Sequence, residues 1–290
     1  MAGKHKRTGL TLVEILVVLG IIALLAGLLL PAMTVVKNTA KEVKQKAQFS
    51  SINLALVTFK NDYGDYPPSK CPLTGPGSDY SGAQRLAEAL VGWDLLGFHP
   101  KSEFRSDGQI SAGDYIYDIA NDIFMAQRKD LYIDRETANA FKLGDMTGID
   151  TGLFANQDVI DQGLAPNTYV LTDVFNKRKV ILPDNRKVNA GTPILYFKAN
   201  TSMKTLSSIY KEIDNEKIVL LNGIQDDATV IEQPLGLTAN NYEYFYDYIT
   251  DPKTLGTAKP QPYRPDSYIL ISAGLDGIYG TADDIKNFGN

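Results

Sequence analysis

The chain has 290 residues, enough for one sizeable domain beyond a terminal segment. Its 29 basic and 34 acidic side chains give a formal net charge of −5. Nucleic-acid-binding domains usually present a basic face, so this balance argues against general nucleic-acid binding. A single cysteine, Cys71, excludes an internal disulfide, so any bridge through it would be intermolecular.

A long apolar segment near the amino terminus follows a short basic leader, K-H-K-R-T-G. From Ile15 to Val36 no residue is charged, a run of 22 positions. About 20 apolar residues suffice to span a bilayer as a helix, whereas the apolar region of an ordinary secretory signal has only ~7–15. We therefore predict a membrane-spanning helix, with the leader on the cytoplasmic side and the residues after Lys37 outside.

The residues around Gly9 resemble the class III signal of the type IV pilin and pseudopilin family. In that family a dedicated peptidase cuts after a glycine and methylates the new amino terminus. Gly9 matches the glycine before the cut, and Leu10 matches the new first residue, which is usually phenylalanine. Glu14 matches the glutamate at the fifth place, and Pro31, the 22nd residue from Leu10, matches a proline that many members carry. The resemblance covers residues 9–33 and implies cleavage between Gly9 and Leu10.

These features predict the organisation of the chain. Removal of the leader would take away Lys4, Lys6 and Arg7, leaving 26 basic against 34 acidic side chains and a net charge of −8. We expect a leader peptide at 1–9, a transmembrane and assembly helix at 10–36, the soluble half of the same helix at 37–62, and a globular domain at 63–290 with an insertion around 106–167.

Glu14 is the single charged residue of the apolar segment. A carboxylate within a membrane helix costs about 2.5–3.5 kcal/mol on insertion scales and is therefore a functional candidate. Residues four apart stack on one helix face, which places Glu14 one turn from Leu10. We predict a pair between Glu14 of one subunit and the Leu10 amine of a neighbour, which would also set the axial register. The alternative is that Glu14 reaches back to the membrane interface near the leader.

Gly20, Gly27 and Pro31 interrupt an otherwise strong helix-forming sequence. Proline removes one backbone hydrogen bond and tends to kink a helix. The resemblance implies that this region is partly unwound in assembled filaments, and a plain membrane helix with a kink is the alternative.

Apolar residues continue beyond the membrane segment at helical spacing. No glycine or proline occurs between Pro31 and Gly64, so we predict one helix from Leu10 to about Asp62, roughly 80 Å long at 1.5 Å per residue. We expect its second half to lie on the sheet of the globular domain through the stripe of Val36, Val43, Ala47, Ile52, Leu56, Phe59 and Tyr63.

The globular part is predicted to be α+β, with the long helix packed on an antiparallel β-sheet. Ser81 caps a short helix that ends at Gly92. Strands rich in β-branched and aromatic residues are expected at 169–175, 179–183, 193–199 and 268–272, with a weaker one at 217–222.

Two aromatic groups have alternative interpretations. Trp93, Leu95, Leu96 and Phe98 are interpreted as a hydrophobic plug, with a partner contact as the alternative. The aromatic run at 243–248 is interpreted as a half-buried strand or helix, with an exposed carbohydrate or partner surface as the alternative.

The chain ends in an acidic, glycine-rich segment. Asp276 lies in an Asp-Gly turn, and Asp283 and Asp284 follow seven and eight residues later. Three carboxylates on one tight loop suit calcium, which takes six to eight oxygen ligands. The alternative is a solvated hairpin in which the aspartates only favour turns.

This segment is similar to the carboxy-terminal loop of the major pseudopilin of type II secretion, where an Asp-Gly and a later acidic pair bind calcium. The resemblance implies calcium as a cofactor, with Asp276, Asp283 and Asp284 as side-chain ligands. Leu275 and Tyr279 are candidates for carbonyl ligands.

Catalytic motifs are absent from the sequence. It contains no nucleophile elbow, no phosphate-binding loop and no C-x-x-C motif. Cleavage of the leader would leave one histidine, His99, beside the lone Cys71. We predict no enzymatic activity, with a Cys71–His99 dyad or a carboxylate-pair hydrolase as the open alternative.

The two ends of the chain together predict a structural subunit of a helical filament, similar to the major pseudopilin of a type II secretion system. The resemblance implies processing by prepilin peptidase, anchoring in the bacterial inner membrane with a periplasmic domain, and polymerisation with copies of itself. Minor pseudopilins and the inner-membrane secretion platform are the further implied partners, and no nucleic acid is expected. A type IV pilus or competence pilin, and an anchored binding domain or enzyme that uses the pilin signal, are the alternatives.

Overall fold

The computed structural model describes residues 11–72, 75, 77–146, 159, 163–176, 178–182, 185–222, 233–236 and 243–289. The chain divides into two compact units, Met1–Val43 and Lys44–Asn290.

Helix α1 spans Leu12–Tyr63 and has 52 residues. Its helical backbone continues through Gly20, Gly27 and Pro31, although the side chain of Pro31 lies outside the described part. Every side chain that the structure describes between Leu12 and Val36 is exposed. The most apolar 18-residue window of α1 has a mean hydropathy of 2.9, so the helix is long and apolar enough to cross a membrane.

The second half of α1 buries one face in the globular unit, and this face differs in part from the predicted stripe. The stripe is correct at Ile52, Leu56 and Phe59. It is wrong at Val36 and Val43, which are 67% and 63% exposed, and at Ala47, which is also exposed. The buried face consists of Gln45, Gln48, Phe49, Ile52, Ala55, Leu56 and Phe59.

Two glutamines begin this buried face. Gln45 Oε1 accepts a hydrogen bond from the Val174 amide at 3.0 Å. Gln48 Nε2 donates to the carbonyls of Thr137 and Thr172, both at 2.9 Å. Because buried polar side chains are favourable only when they are hydrogen-bonded, these contacts explain how amides occupy helix positions that a hydropathy pattern assigns to solvent.

Short antiparallel sheets form the centre of the globular unit. Strand β6 lies between β5 and β7 in a three-stranded sheet, and an isolated bridge between Thr172 and Pro193 links the end of β2 to the start of β5. The described strands are β1 Ala140–Lys142 paired with β2 Tyr169–Leu171, β3 Arg178–Ile181 paired with β4 Lys187–Ala190, and β5 Leu195–Lys198, β6 Tyr268–Ser272 and β7 Ile285–Lys286.

Strand β6 is buried on both faces. Tyr268 and Leu270 pack in the cluster that contains the apolar residues of α1 and those of helix α2, Gly82–Val91. Ile269 and Ile271 point the other way and pack in a second cluster with helices α6, Glu216–Asn222, and α7, Glu243–Ile249. The globular unit therefore places its sheet between two helical layers, which confirms the α+β class and the contact between the long helix and the sheet.

Helix α2 is confirmed at both predicted ends. Ser81 is its N-cap and forms a capping box with Gln84, and Gly92 is its C-cap. At Gly82 an added Cβ would lie 2.3 Å from the Tyr196 carbonyl oxygen of β5, so the helix can approach the sheet this closely only with glycine.

The predicted strand at 217–222 is wrong, because this segment is helix α6. A short apolar run has no period that separates a strand from a buried helix. The contacts of Asn215 favour the helix over the strand. Its carbonyl accepts hydrogen bonds from the amides of Ile218 and Val219, which form the first turn of the helix. Its side chain donates to the Tyr196 carbonyl of β5 and accepts from the Ala83 amide of α2.

Three of the other predicted strands are shorter than expected, and a fourth has its predicted bounds. The expected strands at 169–175, 179–183 and 193–199 become β2, β3 and β5, and 268–272 is β6 with its predicted bounds. The aromatic run at 243–248 is the half-buried helix α7. Residues 106–167, which are predicted to be an insertion, contain β1 and two short helices, α3 Asp122–Gln127 and α4 Arg135–Ala138. Helix α5 is Leu206–Ile209.

Two leucines on the same helix test the packing of α1. Leu56 is fully buried, whereas Leu54 is 69% exposed. Leu56→Ala is expected to lower the free energy of unfolding by about 2–5 kcal/mol, because it leaves a cavity in the core. Leu54→Ala should change this energy by less than about 0.5 kcal/mol. Urea denaturation of the full chain in detergent micelles measures both, and equal losses would contradict the packing.

Candidate functional site

The amino-terminal candidate site begins at Thr11 in the described part, and its processing residues Gly9 and Leu10 lie outside it. The Thr11 amide and hydroxyl donate to Glu14 Oε2 at 2.7 Å and 2.8 Å. The Glu14 amide donates to Thr11 Oγ1 at 3.3 Å in return. This reciprocal arrangement is a capping box at the start of α1.

The sequence analysis missed this cap, although T-x-x-E before an apolar run is its known signature. Glu14 therefore has a partner within its own chain. Both Thr11 bonds end on Oε2, so the cap leaves Oε1 unused. One carboxylate can consequently cap its own helix and present a second oxygen to a cation outside it.

The acidic loop connects β6 to β7, at the edge of the central sheet. Asp283 organises it: Oδ2 accepts from the amides of Leu275 and Asp276 at 2.6 Å and 2.9 Å, and Oδ1 accepts from the Thr281 hydroxyl at 2.6 Å. Asp276 Oδ1 accepts from the Ile278 amide at 2.8 Å. Both of these predicted ligands thus serve as acceptors for the loop's own donors.

Glycine is required where this loop leaves β6. Gly274 has φ of +63°, in the left-handed region. An added Cβ would lie 2.3 Å from the Asp283 carbonyl oxygen, so the two ends of the loop approach each other through this residue.

Asp284 has the most buried carboxylate of the loop, with only 9% of the residue exposed. Its Oδ2 accepts from the Gly280 amide at 2.7 Å and from the Tyr248 hydroxyl of α7. Its Oδ1 is buried and has no hydrogen-bond partner among the described residues. Burial raises the pKa of Asp284 to about 7, and the hydrogen bonds from Tyr248 and Gly280 offset this effect only in part.

The pKa values of the other two aspartates shift in opposite directions. Burial raises the pKa of Asp276, and the adjacent Asp283 carboxylate contributes to the increase. Burial acts in the same direction on Asp283, but the Thr281 hydroxyl and the amides of Asp276 and Leu275 outweigh it and lower its pKa. The loop therefore concentrates negative charge that its own amides only partly offset.

The predicted calcium ligands have the oxygen atoms that a cation requires, but the structure does not arrange them as a metal site. All are hard oxygen ligands, and Asp284 Oδ1 has no hydrogen-bond donor among the described residues. Across the described ranges, no three His, Cys, Asp or Glu side chains form a group that could hold a metal ion. The Tyr279 carbonyl, a candidate ligand, accepts a hydrogen bond from the Leu235 amide at 3.3 Å. Calcium binding would require Asp276 and Asp283 to exchange loop hydrogen bonds for metal contacts.

Cys71 and His99 have separate surroundings. Cys71 is buried, which raises its thiol pKa, and its Sγ contacts the Ser78 carbonyl at 3.4 Å. His99 is buried against Tyr117 and Phe124, and its Nδ1 accepts from the Lys101 amide at 3.1 Å. The structure does not bring these two side chains together as a dyad.

A cavity of about 680 Å³ lies between β5 and the segment around Ser69, and no sequence pattern indicates it. Asp214 lines this cavity, and its carboxylate accepts from the Ser69 hydroxyl at 2.6 Å and the Cys71 amide at 3.2 Å. Burial raises the pKa of Asp214 to about 6 despite these bonds.

One family model matches the chain. It is described as the prokaryotic N-terminal methylation motif and covers residues 4–30, which include Gly9, Leu10 and Glu14. The chain therefore carries a type IV pilin-like signal, and its long helix α1 fits a pilin-like protein. The signal and the apolar half of α1 are consistent with membrane anchoring. Neither a curated protein nor a solved structure matches the chain.

The raised pKa of Asp214 predicts a pH dependence of stability. Its folded pKa of about 6 exceeds the ordinary aspartate value of 3.8, so the folded state binds more protons between these two pH values. The free energy of unfolding should therefore fall as pH rises from about 4 to about 6. Asp214→Asn can keep the hydrogen bond from the Cys71 amide on its single oxygen and does not titrate, so it should lose less stability across this window. Urea denaturation at several pH values checks this, and unchanged slopes would refute it.

Proposed function

We propose that the chain is a structural subunit of a membrane-anchored filament, of the type II secretion pseudopilus class. The observation that carries this proposal is the methylation motif at residues 4–30, which continues directly into the unbroken helix α1. In this proposal, prepilin peptidase cuts between Gly9 and Leu10 in the inner membrane. The mature subunit then polymerises into a pseudopilus, with its globular unit in the periplasm, and filament growth drives protein export.

The exposed surface of α1 supports assembly through this helix. The side chains described between Leu12 and Val36 are apolar in the main and fully available for helix–helix packing. Leu54 and Val57 of the soluble half are 69% and 44% exposed on the side opposite Ile52 and Leu56. Copies of the same helix are the occupants that would cover both apolar surfaces, and minor pseudopilins and the secretion platform would complete the assembly.

Glu14 acts in this proposal as both cap and assembly residue. Its Oε2 accepts the Thr11 bonds, and its Oε1 pairs with the Leu10 amine of a neighbouring subunit. Such a pair compensates two charges in a layer of low dielectric constant and fixes the axial register of the helices.

Two matched variants separate these roles. Glu14→Gln keeps an oxygen that can accept the Thr11 bonds but removes the charge, so we expect the filament to be lost. Thr11→Val removes the hydroxyl half of the cap, at about 1 kcal/mol, and leaves the charge, so assembly should persist. Assembly is measured with pairs of cysteines introduced in the segment from Leu16 to Leu29, which crosslink neighbouring subunits into a ladder. Background crosslinking through Cys71 is low because this residue is buried.

The outcomes of this experiment are distinct. A ladder in Thr11→Val but not in Glu14→Gln supports the subunit pair. Equal loss in both variants would assign Glu14 to the cap alone. Absence of a ladder in the chain that carries only the introduced cysteines, with Thr11 and Glu14 unchanged, would remove the filament and favour an anchored binding domain or enzyme.

A type IV pilus or competence pilin is the alternative filament class. A deletion strain separates them, because loss of protein secretion with intact motility and DNA uptake fits a pseudopilus. Loss of motility or DNA uptake with normal secretion would instead assign the subunit to a pilus. We also propose that the subunit has no enzymatic activity of its own.

Calcium is the proposed cofactor of the acidic loop, held by Asp276, Asp283 and Asp284 with the Leu275 and Tyr279 carbonyls as further candidates. The support is the crowding of three carboxylates and the buried Asp284 Oδ1, which has no protein donor among the described residues. When bound, the ion supplies positive charge that would order the loop.

Chelation tests the calcium proposal. EGTA should lower the melting temperature of the chain in micelles, and added calcium should restore it. Asp276→Asn can keep the Ile278 bond while losing charge, so its melting temperature should respond less to EGTA. Asp266→Asn, at an exposed acid outside the loop, is the control. An unchanged melting temperature with EGTA, or an equal response in Asp276→Asn, would count against the site.

A further inference from the structure

An open cleft of about 690 Å³ lies beside Trp93, at a distance in sequence from both candidate sites. Part of its wall comes from the insertion around 106–167. The side chains that give the cleft its chemistry are Trp93, Tyr115, Asp79, Asp107, Gln109 and Asn167.

The Trp93 ring is fixed in the wall of this cleft. Its Nε1 donates to the Ser106 carbonyl at 3.0 Å. The buried Tyr117 ring stacks with it, with centroids 6.1 Å apart and planes inclined by 25°. Trp93 itself is only half-buried, so its ring is rigid and still reaches the cleft.

Tyr115 is presented beside Trp93 by a tight chain reversal. Gln109 and Tyr115 form an antiparallel bridge, and the Ile116 amide donates to the Gly108 carbonyl at 3.2 Å. Gly108 has φ of +66°, and a Cβ there would lie 2.7 Å from the Tyr115 ring. The ring therefore lies directly on the backbone, 38% exposed, and is perpendicular to the Trp93 ring at a centroid distance of 5.9 Å.

Polar groups surround these two rings. Asp79 Oδ2 accepts from the Ser106 hydroxyl at 2.5 Å, which orients its carboxylate. Asp107 is paired with Arg105 at 2.7 Å. Gln109 and Asn167 are exposed at the rim. Among the described residues that line the cleft none is basic, which disfavours an anionic ligand.

We propose that this cleft binds a neutral saccharide of one or two pyranose rings. The C–H faces of a pyranose pack on aromatic rings, while its hydroxyls bond to carboxylates and amides such as those of Asp79, Gln109 and Asn167. The cleft volume lies within the range of ligand sites, ~300–1,000 Å³. A cation would also approach aromatic rings and an acid, but Arg105 neutralises Asp107, so Asp79 is the one lining carboxylate without an ion pair to a described residue. This inference goes beyond the filament role and does not depend on it.

Intrinsic fluorescence provides a direct test, because Trp93 is the single tryptophan of the chain. The full chain, in micelles of a polyoxyethylene detergent that carries no sugar, is titrated with cellobiose, N,N′-diacetylchitobiose, digalacturonate and choline. We expect a saturable change with at least one of the two neutral disaccharides, and at least about tenfold weaker binding of digalacturonate and choline. Preference for cellobiose indicates a plain hexose polysaccharide as the source, and preference for diacetylchitobiose indicates amino sugars of a cell wall.

Variants assign the signal to the cleft. Tyr115→Ala should weaken binding of the preferred sugar about tenfold, because it removes one stacking ring. Asp79→Asn should weaken it as well and serves as a second variant if Tyr115→Ala lowers the melting temperature. Tyr244→Ala is the control, because Tyr244 lies outside the cleft and is 45% exposed, against 38% for Tyr115. This variant should bind the sugar normally.

Three results would overturn the proposal. The first is no saturable change with either neutral disaccharide. The second is unchanged sugar binding in both Tyr115→Ala and Asp79→Asn. The third is tighter binding of choline or digalacturonate than of the neutral sugars.

Discussion

Strand β6 packs helical layers on both of its faces, and the rest of the globular unit depends on this packing. Its alternate residues belong to two different cores, one shared with α1 and α2 and the other with α6 and α7. The Tyr268 hydroxyl also donates to the Asn53 side chain of α1 at 2.9 Å, across most of the sequence. Because successive side chains of a strand point to opposite faces, a shift of one residue in β6 would exchange the two cores. The register with β5 is therefore strongly specified.

The acidic loop is held in place by this strand. Ser272, the last residue of β6, donates to Asp173 Oδ2 at 3.0 Å. The other oxygen of Asp173 accepts from the amides of Phe175 and Thr192, both at 3.1 Å. A buried carboxylate thus ties the start of the loop to the segment that joins β2 to β5. The positions of the loop aspartates consequently depend on the sheet as much as on their own sequence.

The sequence predicted the parts of the structure that rest on local patterns. The membrane-type helix, the cap at Ser81, the stop at Gly92 and the bounds of β6 follow from spacing and cap chemistry within a few residues. The failures involve contacts between distant residues. Gln45 and Gln48 are buried because loop amides and carbonyls meet them, and the segment after Asn215 is helical because Asn215 bridges α2 and β5.

The candidate sites follow the same division. Gly9, Leu10 and Glu14 were recognised from their order in the chain, and the methylation motif includes them. The cap between Thr11 and Glu14 was also readable from sequence but was overlooked. The cleft beside Trp93 was not readable, because its walls come from four segments that only the fold brings together. Hydropathy patterns carry no information about such a surface.

The glutamines at the start of the buried face of α1 also set where this helix can loosen. Gln45 Nε2 and Gln48 Oε1 are buried without a hydrogen-bond partner among the described residues. Water can replace amide contacts, which are worth only about 0.5–1.5 kcal/mol each, whereas release of Phe49 and Ile52 would expose apolar surface. Fraying of the helix from the globular unit would therefore begin at the Gln45 turn and stop at Phe49. The Gln45 turn is therefore the more weakly held end of this buried face, and the aromatic and aliphatic residues after it are the more strongly held part.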